Sequence, residues 1–400
     1  MTEHVHRSVI SESCRKLVVW LARNGWGSYD CFDGANSPLA HILSKTNPLG
    51  LRLLIQMVKS SPVNLRPLLG IRKTISAKSV GLLASGYAKL SRIWGEPHYE
   101  NETRRALDWL MANRLPGYSG SCWGYPFDVY TRSTVYLADT PTVVATSFIA
   151  QAFVDAYEQL GDTTYLSIAR SSCNFILKDL PAIAEGDGIF IPYHAAISVP
   201  IHNANLLGVS LLSRVYRHTG ERELSDYSKR ALSYTLTRQR ADGAWYYGEH
   251  PSLRWVDGFH TGFVLDSLYY YVESTGDEKP IPAIRLGLDY YRQHFFLDDG
   301  TPRFTDRNLY PIDVRCAAQA IQTFGLLADR YPQGLSLACK VAHWAIKHLQ
   351  DPSGYFYYQI KKFFVNRIPY MRWSQGPMLC ALTELLLTMD RANDRKDLIL

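Results

Sequence analysis

Residues 199–248 read VPIHNANLLGVSLLSRVYRHTGERELSDYSKRALSYTLTRQRADGAWYYG, and this stretch decides the fold. Asn205, Leu206, Leu207, Val209, Leu211, Leu212, Val215 and Tyr216 recur at i, i+3, i+4 spacing, which predicts an apolar helix. Gly220 is placed to end it, as a C-cap glycine does. Tyr227, Ala231, Leu232, Tyr234 and Thr235 mark a second, more polar helix that exposes Lys229, Arg230 and Arg238. Asp242-Gly243 reads as a turn, followed by a short extended piece at Trp245, Tyr246 and Tyr247.

The same unit recurs along the chain. Gly-acid turns stand at Gly95-Glu96, Gly161-Asp162, Gly220-Glu221 and Gly276-Asp277, roughly every 60 residues. In phase with them run Asp187-Gly188, Asp242-Gly243, Asp299-Gly300 and Ser353-Gly354, each leading into aromatic residues. Apolar helices are expected near 75–94, 141–160, 200–219, 257–275, 312–331 and 373–391, and amphipathic ones near 5–22, 99–114, 163–179, 223–240, 281–296 and 335–350. The series opens on an amphipathic helix and closes on an apolar one, the order of a circle of hairpins that completes itself. The expected fold is all-α: an (α/α)6 toroid of six helical hairpins, apolar helices inside, with short β-like loops at one end. An open α-solenoid is the alternative.

Composition fits a single domain over 1–400. No Gly/Ser- or Pro-rich linker divides the chain, and 46% hydrophobic with 20% charged residues suits a sizeable soluble core. The opening residues lack a basic stretch followed by an apolar one, and no apolar run is long enough to span a bilayer. Seven scattered cysteines, never paired as CxxC, argue for a reduced protein without structural zinc. A cytoplasmic protein with no metal or other cofactor is therefore expected. The net charge of +6 permits anionic partners, while the absence of a dense basic block argues against nucleic acid.

One segment departs from the repeat, a basic insertion at about 45–74. Over 45–78 the chain carries Lys45, Arg52, Lys59, Arg66, Arg72, Lys73 and Lys78 beside the apolar run Leu51–Met57. Such a segment could lie on a membrane surface or grip a lipid-linked glycan; an ordinary connecting helix with a solvated basic face is the plainer reading.

Function is sought among the aromatics and the polar helix starts. The chain holds 26 Tyr and 9 Trp against 15 Phe, so many of its rings carry a polar handle. They gather in the loops leading to the inner helices, where a toroid places the mouth of its cavity. Aromatic faces with hydrogen-bonding rims suit sugar rings. Candidate catalytic residues are His202, His260, Asp257, Asp313 and Tyr246. Candidate substrate-binding residues are Trp123, Tyr125, Asp128, Asn203, Asn205, Trp245, Glu249, Trp255, Arg315, Arg372 and Gln375. Charged groups at the ends of apolar helices are costly to bury unpaired, so their convergence points to an acid/base set. Each also has a structural reading: Asp257 and Asp313 are good N-caps, and Arg315 can pair with one of them.

His202-Asn-Ala-Asn-Leu-Leu-Gly is similar to a region of N-acylglucosamine 2-epimerases, with Leu206-Leu207 where those enzymes carry a histidine. Arg372-Trp-Ser-Gln375-Gly-Pro resembles a segment of unsaturated glucuronyl hydrolases. Tyr29-Asp-Cys-Phe-Asp-Gly, Pro141-Thr-Val-Val-Ala-Thr-Ser and Trp255-Val-Asp-Gly-Phe-His-Thr-Gly-Phe resemble a bacterial and archaeal family associated with surface-polysaccharide synthesis. These resemblances imply a carbohydrate-active (α/α)6 enzyme. Epimerisation or elimination at a uronate needs a base, an opposed acid and a cation. Hydrolysis needs two carboxyls about 5–5.5 or 6.5–9.5 Å apart. The cations among the candidates favour an anionic sugar. A non-catalytic glycan-binding or scaffolding toroid is the alternative from another class.

Overall fold

The structure, a computed structural model, describes residues 3–130, 135–186 and 188–397. Six helices form an inner ring: α4 (Ala77–Trp94), α6 (Val143–Leu160), α8 (His202–Thr219), α10 (Gly258–Thr275), α12 (Val314–Leu326) and α14 (Gly376–Asp397). Each packs on the next, and α14 packs on α4, so the ring is closed and the open solenoid is excluded. The outer helices are α1 (Glu3–Asn24), α5 (Pro97–Ala112), α7 (Thr163–Asn174), α9 (Arg222–Leu236), α11 (Ile281–His294) and α13 (Gln333–Leu349). Helix α1 docks on α13 and α14, where Arg7 meets Asp390 at 2.6 Å.

The four Gly-acid turns are left-handed C-caps, with φ of 64° at Gly95, 73° at Gly161, 71° at Gly220 and 71° at Gly276. Glycine spares the Cβ penalty there, so four inner helices stop at one height. The other tag marks where a loop crosses the neighbouring outer helix. A Cβ on Gly243 would lie 2.4 Å from the Leu286 carbonyl oxygen, and one on Gly354 2.2 Å from that of Lys16. Gly354 thus seats the sixth hairpin on the first helix. Asp187, which opens one of these tags, lies outside the described residues.

Short strands decorate the end where the inner helices begin. Strands β1 (Val129–Tyr130) and β2 (Val135–Tyr136) pair antiparallel, as do β3 (Ile183–Glu185) and β4 (Gly188–Phe190). Strands β5 (Ile312–Asp313), β6 (Gln359–Ile360) and β7 (Val365–Asn366) make a three-stranded antiparallel sheet in that order.

The departure from the repeat folds as α2 (Pro38–Thr46) and α3 (Pro48–Ser60) over a small core of their own, including Ala40, Leu51, Leu54, Ile55, Val58 and Ile71. Arg66 fixes the loop that follows. It is fully buried, its Nε donates to Asp33 at 2.7 and 2.9 Å, and its Nη2 donates to the Asp30 carbonyl at 2.6 Å.

Candidate functional site

The ring encloses a cavity of about 1100 Å³. Each inner helix turns one stripe towards it: Lys78, Leu82, Ser85 and Lys89 on α4; Val144, Phe148, Gln151 and Asp155 on α6; Asn203, Leu207, Ser210 and Arg214 on α8. The i, i+4, i+7, i+11 spacing of these stripes spans three helical turns, so the lumen is roughly 16 Å deep. It has a polar mouth, an apolar waist at Leu82, Phe148, Leu207 and Phe263, and a charged floor.

The floor is internally paired. Arg214 reaches Asp155 at 2.8 Å and Glu158 at 2.8 Å, and Lys89 reaches Glu384 at 2.7 Å. Asp266 accepts from Gln319 at 2.7 Å and Gln322 at 3.1 Å; burial pushes its carboxyl up to about 7.

At the mouth, α10 begins with a carboxylate–imidazole pair. Asp257 is the N-cap: its Oδ1 accepts from the His260 backbone at 3.0 Å. Its Oδ2 lies 2.7 Å from His260 Nδ1 and accepts from Trp255 Nε1 at 3.0 Å. One turn of helix carries both residues to the same spot, since cap and third helical residue share a face. Burial alone would raise the Asp257 carboxyl; the charge and hydrogen bonds of His260 outweigh it and hold it below the usual carboxylate range. An ionised Asp257 keeps the proton of His260 on Nδ1 and leaves Nε2 as the basic nitrogen. Tyr247 stacks on Trp255 with centroids 4.6 Å apart and stands 4.5 Å from the His260 ring.

Four basic residues line the same cavity. Arg372 forks onto Asp30 at 2.7 and 2.6 Å and lies 4.6 Å from the Tyr125 ring. Arg315 forks onto Asp313 at 2.9 and 2.7 Å, sandwiched 4.2 Å from Phe259 and 4.0 Å from Trp373. Asp30 and Asp313 neutralise these two. Lys59 and Lys78 have no such partner: among the described residues no carboxylate lies within ion-pair distance of either, and they rest on the rings of Phe32 (4.7 Å) and Phe148 (3.8 Å). These two are basic groups of the mouth without a carboxylate partner of their own. Burial, with Arg372 and Arg315 adding to it, holds Lys78 well below the usual ammonium value.

An anion bound against Lys78 raises its pKa again, so the complex holds more protons than the free protein. Affinity should then fall as pH rises from the depressed value of free Lys78 towards the bound value, with proton uptake approaching one per site in that window. Calorimetry with a glucuronate disaccharide in buffers of different ionisation enthalpy reads the uptake directly. Lys78→Met should abolish it.

Of the candidates from sequence, Tyr125, Asn203, Trp255, Asp257, His260, Arg315 and Arg372 line the cavity. The Asn203 side-chain oxygen is buried and has no partner among the described residues. Tyr246 borders a small adjoining pocket with Asp257 and His260. The remainder hold the wall from behind. His202 is buried against Glu249 (2.7 Å) and Thr235 (3.2 Å), and its hydrogen bond keeps the Glu249 carboxyl low. Asp313 caps α12 and binds Arg315. Asn205 ties Ile191 to α9, and Gln375 brackets the Phe356 backbone. Trp123 and Trp245 donate to the carbonyls of Leu110 and Thr235, and Asp128 accepts from Ala138 across the base of the β1–β2 pair.

No protein-family model matches the chain, and no curated protein is matched by its sequence. Solved structures do resemble it. The unsaturated glucuronyl hydrolase specific for heparin superposes with a TM-score of 0.66 over 98% of this chain and 99% of its own, at 12% identity. Cellobiose 2-epimerase from Bacillus thermoamylovorans gives 0.63 over 79% and 88%, at 12% identity. An alpha-mannanase of Bacteroides thetaiotaomicron gives 0.61 over 94% and 99%, also at 12% identity. What is shared is the (α/α)6 toroid.

Beyond the toroid, several site residues went unmarked by sequence reasoning. Asp30 lay in view inside Tyr29-Asp-Cys-Phe-Asp-Gly, but nothing in that string announces its partner 342 residues on. Lys59 and Lys78 read as a solvated basic face; their detection needed the stripe spacing of α4 and the cavity side of α3. Among the described residues no helix is long and apolar enough to cross a membrane, and no cluster of His, Cys, Asp and Glu is arranged to hold a metal.

Proposed function

We propose that the chain is a carbohydrate-active enzyme that removes a proton from the carbon beside the carboxylate of a uronate-type sugar. The observation that carries this reading is the Asp257–His260 pair at the edge of an aromatic-lined cavity with unpaired cations. His260 Nε2 is the base, and Asp257 fixes its tautomer and stabilises the imidazolium that forms. Lys78, with Arg315 and Arg372, faces the charge that develops on the sugar carboxylate as the carbanion becomes an enediolate. Tyr125, Tyr247, Trp255 and Trp373 line the cavity and supply the aromatic wall against which a sugar ring would lie. The fold is shared with epimerases, isomerases, hydrolases and a polysaccharide lyase, which supports the class.

Proton abstraction is preferred to hydrolysis on electrostatic grounds. The mouth carboxylates Asp30, Asp257 and Asp313 are each engaged by a cation or imidazole. Every oxygen of these three carboxylates already accepts a hydrogen bond, so none of them presents a free carboxyl to a glycosidic bond.

Incubation with uronate oligosaccharides in deuterated water, read by NMR and mass spectrometry, tests the reading. Deuterium at a ring carbon of an intact chain shows epimerisation, and new unsaturation shows elimination; either supports it. Shortened, saturated products without deuterium would replace it with hydrolysis. Binding without any change would favour a glycan-binding scaffold.

A further inference from the structure

Helix α3 has three faces. Leu51, Leu54, Ile55 and Val58 point into the small core, and Arg52, Gln56 and Lys59 border the cavity. The third carries Leu49, Leu53 and Met57 at i, i+4, i+8, exposed by 69%, 64% and 49%. Helix α2 adds Leu39 and Ile42 to the exposed apolar surface, and the following loop adds Val63 and Leu68, the latter 84% exposed. Single exposed leucines need no explanation; this many within thirty residues do.

Charge identifies the occupant. Between Asp33 and Glu96 the sequence holds no acidic residue, while Lys45, Arg52, Arg72 and Lys73 are exposed there. The β6–β7 hairpin carries a further exposed pair of the same kind, Lys362 and the 88% exposed Phe363. A second copy of this surface would be repelled by the first, having the same sign throughout. Exposed leucines in a segment that carries cations and no acid match the headgroup layer of an anionic bilayer.

We infer that the outward face of α2 and α3 docks on an anionic lipid surface. The inference stands without the proposed chemistry, although the shared helix α3 puts the cavity mouth beside that surface.

Flotation of the full chain with phosphatidylcholine vesicles, with and without phosphatidylglycerol, is the test. The chain should float with the anionic vesicles alone and detach at high salt. Leu49→Glu with Leu53→Glu should lower partitioning by about tenfold or more, while Leu286→Glu, on α11, should not. Lys45→Glu with Lys73→Glu, both at exposed polar positions, should also weaken binding and serves if the leucine variant unfolds. Failure to float, or equal flotation of wild type and both double variants, overturns the docking. So does a dimer in light scattering that the leucine variant dissolves while vesicles bind neither form, since the occupant is then a second copy.

Discussion

His260→Ala should lower kcat/KM for deuterium exchange into a uronate by about 10² to 10⁴, the usual contribution of a positioned general base. Binding of the sugar, measured separately, should change little, because the cations and aromatic faces remain. Asp257→Asn should cost a similar order. It leaves a good N-cap on α10 and a hydrogen-bonding group beside His260, but removes the charge that fixes the tautomer. The double variant should be no slower than the worse single one, since the two residues act as a unit. A merely structural role for Asp257 predicts the opposite pattern: a lower melting temperature, and a kcat of the folded fraction close to wild type.

Arg66→Ala should destabilise the protein by about 3–5 kcal/mol, the loss typical when one partner of a buried ion pair is removed. Arg66 and Asp33 are 0% and 1% exposed, so without the guanidinium the carboxylate is stranded away from water. The Asp30 carbonyl would lose the shorter of its two donors too. Because Asp30 also holds Arg372, the damage should reach the cavity mouth, and weaker sugar binding should accompany lower stability. Arg66→Lys should rescue only in part, since an ammonium cannot reproduce the fork onto Asp33 and the bond to Asp30 together. Denaturant unfolding of the three proteins gives the comparison. Equal midpoints would show that the string Asn64-Leu-Arg-Pro-Leu-Leu-Gly-Ile-Arg does not depend on this pair.

The toroid was legible because its punctuation is local. Gly161 and Gly220 end helices through backbone conformations that the sequence states outright, and the spacing between them counts the hairpins. Asp257 and His260 were named as candidates from a local signal as well, their place at a helix start, although the sequence did not pair them with each other. Residues joined across the ring were not. His202 and Asp313 have the right types at the right helix ends, yet the structure turns His202 onto Glu249 and Asp313 onto Arg315 and Gln359. Which way a buried side chain turns is decided by partners distant in sequence. The depth of the lumen was hidden as well: Leu82, Phe148 and Leu207 have the composition of packed core, and only the closed ring shows them facing an open space.

The crossing of Gly354 over Lys16 and the contact of His6 with His343 tie together segments 338 and 337 residues apart. During synthesis at about 5–20 residues per second, helix α1 therefore leaves the ribosome on the order of tens of seconds before α13 exists. Until then Ile10, Cys14, Leu17 and Leu21, all buried in the finished ring, lack the cover that α13 and α14 give them. The nascent chain is thus an open arc with a sticky leading edge. Its yield in a cell should depend on holdase chaperones and on translation speed far more than the stability of the closed ring would suggest.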